Sequence, residues 1–209
     1  FFFFIFIIFQ RYFLFFFYYL STCATGKNYK FDKIVKDKLY NQYFPNKEDT
    51  KLINSEDDSY HMNLYYRNDS LVSFIFDSKK NQMHYFHIDK SDSLKFYFIK
   101  TKKFNENVNE NKLEFSEVKE KKGNKEITLK ILNERGKKIA QYQFIIKETD
   151  KNYFSLIKSS FLETEGYNKT KPPFNFIILE AKGKNESGRY IKYKLESIKD
   201  IYLEITIPH

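Results

Sequence analysis

The chain has 209 residues, enough for one domain with a real core but short for two independent ones. Aromatic residues make up 20% and charged residues 30% of it, a foldable composition that excludes wholesale disorder. The formal charge of +9 favours anionic surfaces, lipid head groups included. A single cysteine excludes an internal disulfide and a structural zinc site built on several thiolates.

In chain order, residues 1 to 20 are almost wholly apolar, and Gln10 with Arg11 splits them into two runs. Each run is too short to span a bilayer, which takes about 20 apolar residues. The first run, Phe1 to Phe9, is consistent with upstream translation of a T-rich stretch. The second reads as a secretory signal, with Arg11 as its positive region, Tyr12 to Tyr19 as its apolar region and a small polar segment after Leu20.

That segment, Leu20-Ser21-Thr22-Cys23, resembles the lipobox of bacterial lipoproteins. In that family an apolar residue stands three places before the cysteine and small residues fill the gap. Leu20, Ser21 and Cys23 match, and Thr22 stands where Gly or Ala is usual. The resemblance implies a signal peptide over 1–22, diacylglycerol on the Cys23 thiol and Cys23 as the new N-terminus. Residues 23–27 would then tether a single domain, 28–209. Two acyl chains suffice physically, because each buried methylene contributes about 0.8 kcal/mol and one chain alone binds only marginally. An uncleaved helix over residues 1 to 20 is the competing reading, and it places Arg11 at a costly depth.

From Asn28 to Phe44, the residues Phe31, Ile34, Val35, Leu39 and Tyr43 fall at helical spacing, with Pro45 as a stop. This pattern predicts an amphipathic helix. Residues 46 to 59 are polar and turn-rich and read as a connection. Short runs rich in Tyr, Phe, Ile and Val follow at 60–67, 71–77, 83–89 and 94–101, separated by turn residues, and they predict an antiparallel meander. Further strands are expected at 112–119, 126–132 and 139–147, then at 174–182, 189–197 and 201–207. Residues 152 to 163 carry Phe154, Ile157, Phe161 and Leu162 at helical offsets, though a strand fits as well. The expected fold is therefore α+β, one N-terminal helix packed on a mostly antiparallel, curved or barrel-like sheet.

Motifs for chemistry are sparse. His84 and His87 would converge on a helix, but on a strand an offset of three sends them to opposite faces, so no metal pair is expected. Glu56-Asp57-Asp58, and Asp89 with Asp92, lack the calcium-loop pattern and read as solvated loop carboxylates. No nucleophile elbow, phosphate-binding glycine loop or His-Glu-x-x-His helix occurs. Lysines 100, 102 and 103, and lysines 119, 121, 122 and 125, alternate with Glu114, Glu117, Glu120 and Glu126. Mixed charge of this kind argues against a nucleic-acid partner. Asn68, Asn168 and Asn185 head glycosylation sequons of the kind chance supplies in an Asn-rich chain.

The sequence thus leads to an exported lipoprotein of the bacterial envelope, held to membrane lipid through Cys23. Its β-rich domain is expected to be non-catalytic, to need no cofactor, and to bind an envelope protein or serve a structural role. Two alternatives stay open, a carrier or chaperone of an apolar ligand such as lipid, and a hydrolase of unrecognised type. A cavity lined by Phe and Tyr would favour the carrier, and a solid core the structural module.

Overall fold

The computed structural model of the protein describes residues 26–41, 47–67, 70–89, 94–104, 111–151 and 172–208, with Tyr153, Phe154, Leu156 and Ser160. Arg11, Leu20, Ser21, Thr22 and Cys23 lie outside them, as do the sequon residues Asn68 and Asn168. The described residues form twelve strands: β1 (Lys27–Asn41), β2 (Lys47–Ile53), β3 (Tyr60–Arg67), β4 (Ser70–Asp77), β5 (Gln82–Asp89), β6 (Lys95–Lys103), β7 (Lys112–Phe115), β8 (Lys119–Lys121), β9 (Asn124–Leu132), β10 (Lys138–Glu148), β11 (Phe176–Lys184) and β12 (Tyr190–Ile207). No helix among the described residues is long and apolar enough to cross a membrane.

The chain divides into a small unit, Phe1–Lys30 with Leu203–His209, and a main unit, Phe31–Tyr202. In the small unit the backbone at Gly26 runs so close to Ile207 that an added Cβ would stand 2.2 Å from the Ile207 carbonyl oxygen. Thr206 Oγ1 and Asn28 Oδ1 are 2.7 Å apart in a hydrogen bond donated by the threonine.

Within the main unit the strands hydrogen-bond in the order β6-β5-β4-β3-β2-β1-β12-β11-β10-β9-β7, with β8 also on β9. Every pairing with a resolved register is antiparallel, as the alternating runs lead one to expect. Among the described residues the hydrogen-bonded order has two ends, β6 and β7.

The expected α+β class is wrong, because the predicted helix at 28–44 is strand β1 over all of its described residues. In β1 the buried residues are Tyr29, Phe31, Val35, Asp37 and Leu39, a period of two. Phe31, Val35 and Leu39 satisfy both periods, since a step of four keeps a residue on one face of a helix and one face of a strand. Lys33 and Asp37 occupy the intervening inward positions and mask the alternation. Each has an ionic partner, Asp200 for Lys33 and Lys51 for Asp37.

The same pair explains β2, which lies inside the segment read as a connection. Its sequence Lys-Glu-Asp-Thr-Lys-Leu-Ile is polar at the start, yet Lys51, Leu52 and Ile53 are all buried, between β1 on one side and β3 on the other. Two further strand expectations change in detail. Residues 112–119 give two short strands, β7 and the start of β8, and the separate runs at 189–197 and 201–207 are one strand, β12.

The main core lies on β9, β10 and β11. Ile127, Leu129 and Ile131 stand opposite Phe144, Tyr142 and Ala140 on the neighbouring strand, and all six are buried. Phe176, Ile178, Ala181 and Tyr193 extend this surface, and Leu39 and Phe154 pack onto it. Gly183 sits opposite Tyr142, where an added Cβ would be 2.1 Å from the Gln141 carbonyl oxygen and 2.7 Å from the Tyr142 ring. A second cluster joins Val35, Ile53, Tyr153, Leu156 and Ile177.

Candidate functional site

The registers of β1 to β6 align side chains in rows that cross the sheet. One row runs Val35, Lys51, Asn63, Phe74, Tyr85, Lys100, and the next runs Lys33, Ile53, His61, Phe76, Met83, Lys102. A third, shorter row runs Tyr65, Val72, His87, Tyr97. All three project from the same side of the sheet, because side chains alternate by residue and the rows differ by two.

From β2 outward, burial falls along the two longer rows. Val35 and Lys51 are sealed, at 0% and 1% exposure. Asn63, Phe74, Tyr85, His61, Phe76, Met83 and Tyr65 are half-buried, and Lys100, Lys102, His87 and Tyr97 are exposed. The sealed end is where Tyr153 and Leu156 pack against Val35 and Ile53. Beyond it the face is a continuous array of rings.

Phe74 lies between Tyr65 and Tyr85, with ring centroids 6.0 and 6.1 Å away. His61 packs against Phe76 at 5.4 Å, and Phe104 stacks on Phe76 at 4.9 Å. The Tyr85 hydroxyl contacts the Met83 sulfur at 3.6 Å, and the Lys102 ammonium sits 5.9 Å from the Tyr85 ring centroid. These spacings are those of offset and edge-on aromatic pairs, held by cross-strand register rather than by chance contact.

The other side of the same strands is closed. Leu52, Met62, Ile75 and His84 form the corresponding row there, at 4%, 0%, 0% and 4% exposure. His84 Nδ1 reaches Thr101 Oγ1 at 2.8 Å, the next position of that row. β3, β4 and β5 are therefore largely apolar on both faces, with Ser73, Asp77 and His84 as buried polar residues on the sealed one. A sheet that merely supports a fold commonly keeps its second face polar.

His61 marks the character of the open face. Surrounding atoms desolvate its imidazole, and the nearby Lys51 charge opposes a second cation, which together lower its pKa to about 3. The ring is neutral at any physiological pH and acts as one more aromatic surface.

At the sealed end lies a buried polar cluster. Lys51 Nζ donates to Asp37 Oδ2 at 2.8 Å and also contacts the Ser160 hydroxyl. The Ser160 hydroxyl lies 2.7 Å from the Leu156 carbonyl oxygen. Burial raises the Asp37 pKa against the opposing pull of Lys51. Tyr193 is held protonated, by burial first and by the Asp37 charge second. Asp37 Oδ1 has no hydrogen-bond partner among the described residues.

A serine beside a lysine invites a hydrolytic reading, but the chemistry opposes it. Lys51 Nζ is engaged by the Asp37 carboxylate at 2.8 Å and is not free to act as a base toward Ser160. Lys51 is also 1% exposed, and the Ser160 hydroxyl is committed to a backbone carbonyl. The cluster joins β1 and β2 to the residue at 160.

The residues singled out in the sequence are dispersed. His84 and His87 lie on opposite faces of β5, one buried and one exposed. Asp57 accepts from the Ser59 amide and hydroxyl and pairs with Lys79 at 3.3 Å, while Glu56 pairs with Lys151. Asp89 ends β5, and Asp92 lies outside the described residues. Among the described residues no group of three or more His, Cys, Asp or Glu converges as a metal site would require.

The two lysine groups separate. Lys119 and Lys125 face Glu126 and Glu120 across the β8–β9 pairing, and Lys125 pairs with Glu148 at 2.7 Å. Lys100 and Lys102, by contrast, face Tyr85 and Met83.

Sequence reasoning missed Asp37 and Lys51 because the helical reading of β1 and the loop reading of β2 kept them apart. It also missed the ring face. Within β4 the sequence shows Phe74 and Phe76 on one side and Ile75 on the other, but only the registers join Tyr65 and Tyr85 to the first side.

No protein-family profile matches the chain, and no curated protein matches it. Among solved structures it resembles a LolA superfamily protein from Nitrosomonas europaea at 6% identity, over 81% of this chain and 85% of that one. The TM-score of 0.34 is too low for that likeness to support an argument about fold or ligand.

Proposed function

We propose that the protein binds an apolar, chain-like ligand on the open aromatic face of β3, β4 and β5, without catalysis. The observation that carries this reading is the asymmetry of those three strands, closed on the Met62 and Ile75 side and ring-lined but half-open on the Phe74 and Phe76 side. The rings supply contact area with few hydrogen-bonding groups, which suits an acyl chain better than a polar solute. Lys100 and Lys102 end two of the rows and suit an anionic head group there. Ten methylenes laid on such a surface are worth at most about 8 kcal/mol, so micromolar is the ceiling on affinity and the cost of association makes binding weaker than that.

A fluorescent fatty acid tests the reading. Titration should saturate, and the pair Phe74→Ser and Phe76→Ser should weaken binding by about tenfold or more, since each ring contributes a large share of the contact area. A titration that never saturates, or one the two substitutions leave unchanged, removes the proposal.

The ligand reading fits an exported protein held at a bilayer, and we retain lipidation of Cys23 as the means of holding it. Wild-type cells fed a labelled fatty acid should yield labelled protein, and Cys23→Ala should lose the label. Equal labelling of both would end that part.

A further inference from the structure

The segment from Leu94 to Phe104 (Leu-Lys-Phe-Tyr-Phe-Ile-Lys-Thr-Lys-Lys-Phe) holds four lysines and no acidic residue. It forms β6, one end of the hydrogen-bonded order, and among the described residues no strand pairs with its outer edge. Large apolar side chains are exposed along it, with Leu94 at 57%, Tyr97 at 51%, Phe98 at 36% and Ile99 at 55%. The register jumps at this point, where Tyr85 faces Lys100 and Phe86 faces Phe98, which leaves Ile99 as an unpaired bulge residue. Elsewhere exposed lysines stand next to carboxylates, as Lys112 does with Glu114 and Lys125 with Glu148. Asp89 stands opposite Lys95 across the β5–β6 pairing, while Lys100, Lys102 and Lys103 stand opposite Tyr85, Met83 and Gln82.

Apolar and aromatic side chains mixed with a local excess of lysines suit an interface that is oily on one side and negatively charged at its surface. We propose that the β6 edge rests on an anionic bilayer, with Leu94, Tyr97, Phe98 and Ile99 entering the head-group region and the four lysines meeting lipid phosphates. The unpaired N–H and C=O groups of the edge keep the contact at the hydrated interface, since hydrocarbon would leave them unsatisfied. A second copy of the chain is a poorer occupant, because edge-to-edge pairing would set lysines against lysines. Each lysine close to such a surface shifts occupancy roughly fivefold, and salt weakens the effect. This contact does not need Cys23, but it shares Lys100, Lys102 and Tyr97 with the ring face. Phe74→Ser with Phe76→Ser should therefore leave quenching of a label at Ile99→Cys by brominated lipid intact, and its loss in that variant would overturn the proposal.

The test uses the full chain carrying Cys23→Ser and Ile99→Cys, with bimane on the new cysteine, reconstituted in vesicles that contain brominated lipid chains. Emission should be quenched in vesicles of phosphatidylcholine with phosphatidylglycerol and spared in phosphatidylcholine alone. Replacing Lys95, Lys100, Lys102 and Lys103 by Gln should abolish the quenching. The same label at Arg135→Cys, in the turn between β9 and β10, should stay bright in both. An unquenched label in anionic vesicles overturns the proposal, as does equal quenching in both lipids or quenching indifferent to the lysines. Self-quenching that grows with protein concentration but ignores bromine would assign the edge to a second copy and overturn it as well.

Discussion

Asp37 and Lys51 are each at most 1% exposed, and their separation of 2.8 Å makes them a closed ion pair in the main unit. Burying two charges costs more than a surface pair can return, so what matters is that each neutralises the other. Lys51→Met would leave the Asp37 carboxylate alone in the core beside Tyr193, already lacking a partner at Oδ1. We expect this single change to cost about 3–5 kcal/mol of stability, and Asp37→Leu with Lys51→Met together to recover most of that loss. Urea denaturation of the two single variants and the double variant measures the coupling. Equal, additive losses would mean the pair is not a unit.

Among the elements, Gly183 in β11 is the most constrained. Its partner across the sheet is Tyr142, whose ring lies 2.7 Å from where a Cβ would stand, with the Gln141 carbonyl closer still at 2.1 Å. Gly183→Ala must push both strands apart or displace the ring, and we expect it to lower stability by about 1–3 kcal/mol. Thermal denaturation checks this, and an unchanged midpoint would show that the close approach is not needed. The elements also show what was legible in the sequence. The runs at 60–67, 71–77 and 83–89 became strands nearly residue for residue, because turn residues bound them and they are rich in Tyr, Phe, Ile and Val. β1 was misread because Lys33 and Asp37, two inward-facing charges, left only positions that a helix also satisfies. β2 was missed because its strand character comes from neighbours on both sides and not from its own residues.

At the scale of the whole molecule, the antiparallel sheet was legible but the candidate site was not. A single run shows which residues share a face, but not what lies on that face in the next strand. Tyr65, Phe74, Phe76 and Tyr85 become one surface only through the registers of β3 with β4 and β4 with β5. Nor does a run reveal which of two apolar faces is sealed. That depends on Tyr153 and Leu156 covering one end of the ring face, and on the closed row through Met62 and Ile75 behind it.

The central claim is that the open ring face of β3, β4 and β5 holds an apolar chain, and photolabelling with a diazirine-bearing fatty acid reads it out directly. Peptide mass spectrometry should place the label on residues of the ring rows, with Tyr65, Phe74, Phe76, Met83 and Tyr85 foremost, and excess unlabelled fatty acid should suppress it. Label spread over β7, β8 and β9, or label that competitor does not displace, would contradict the account.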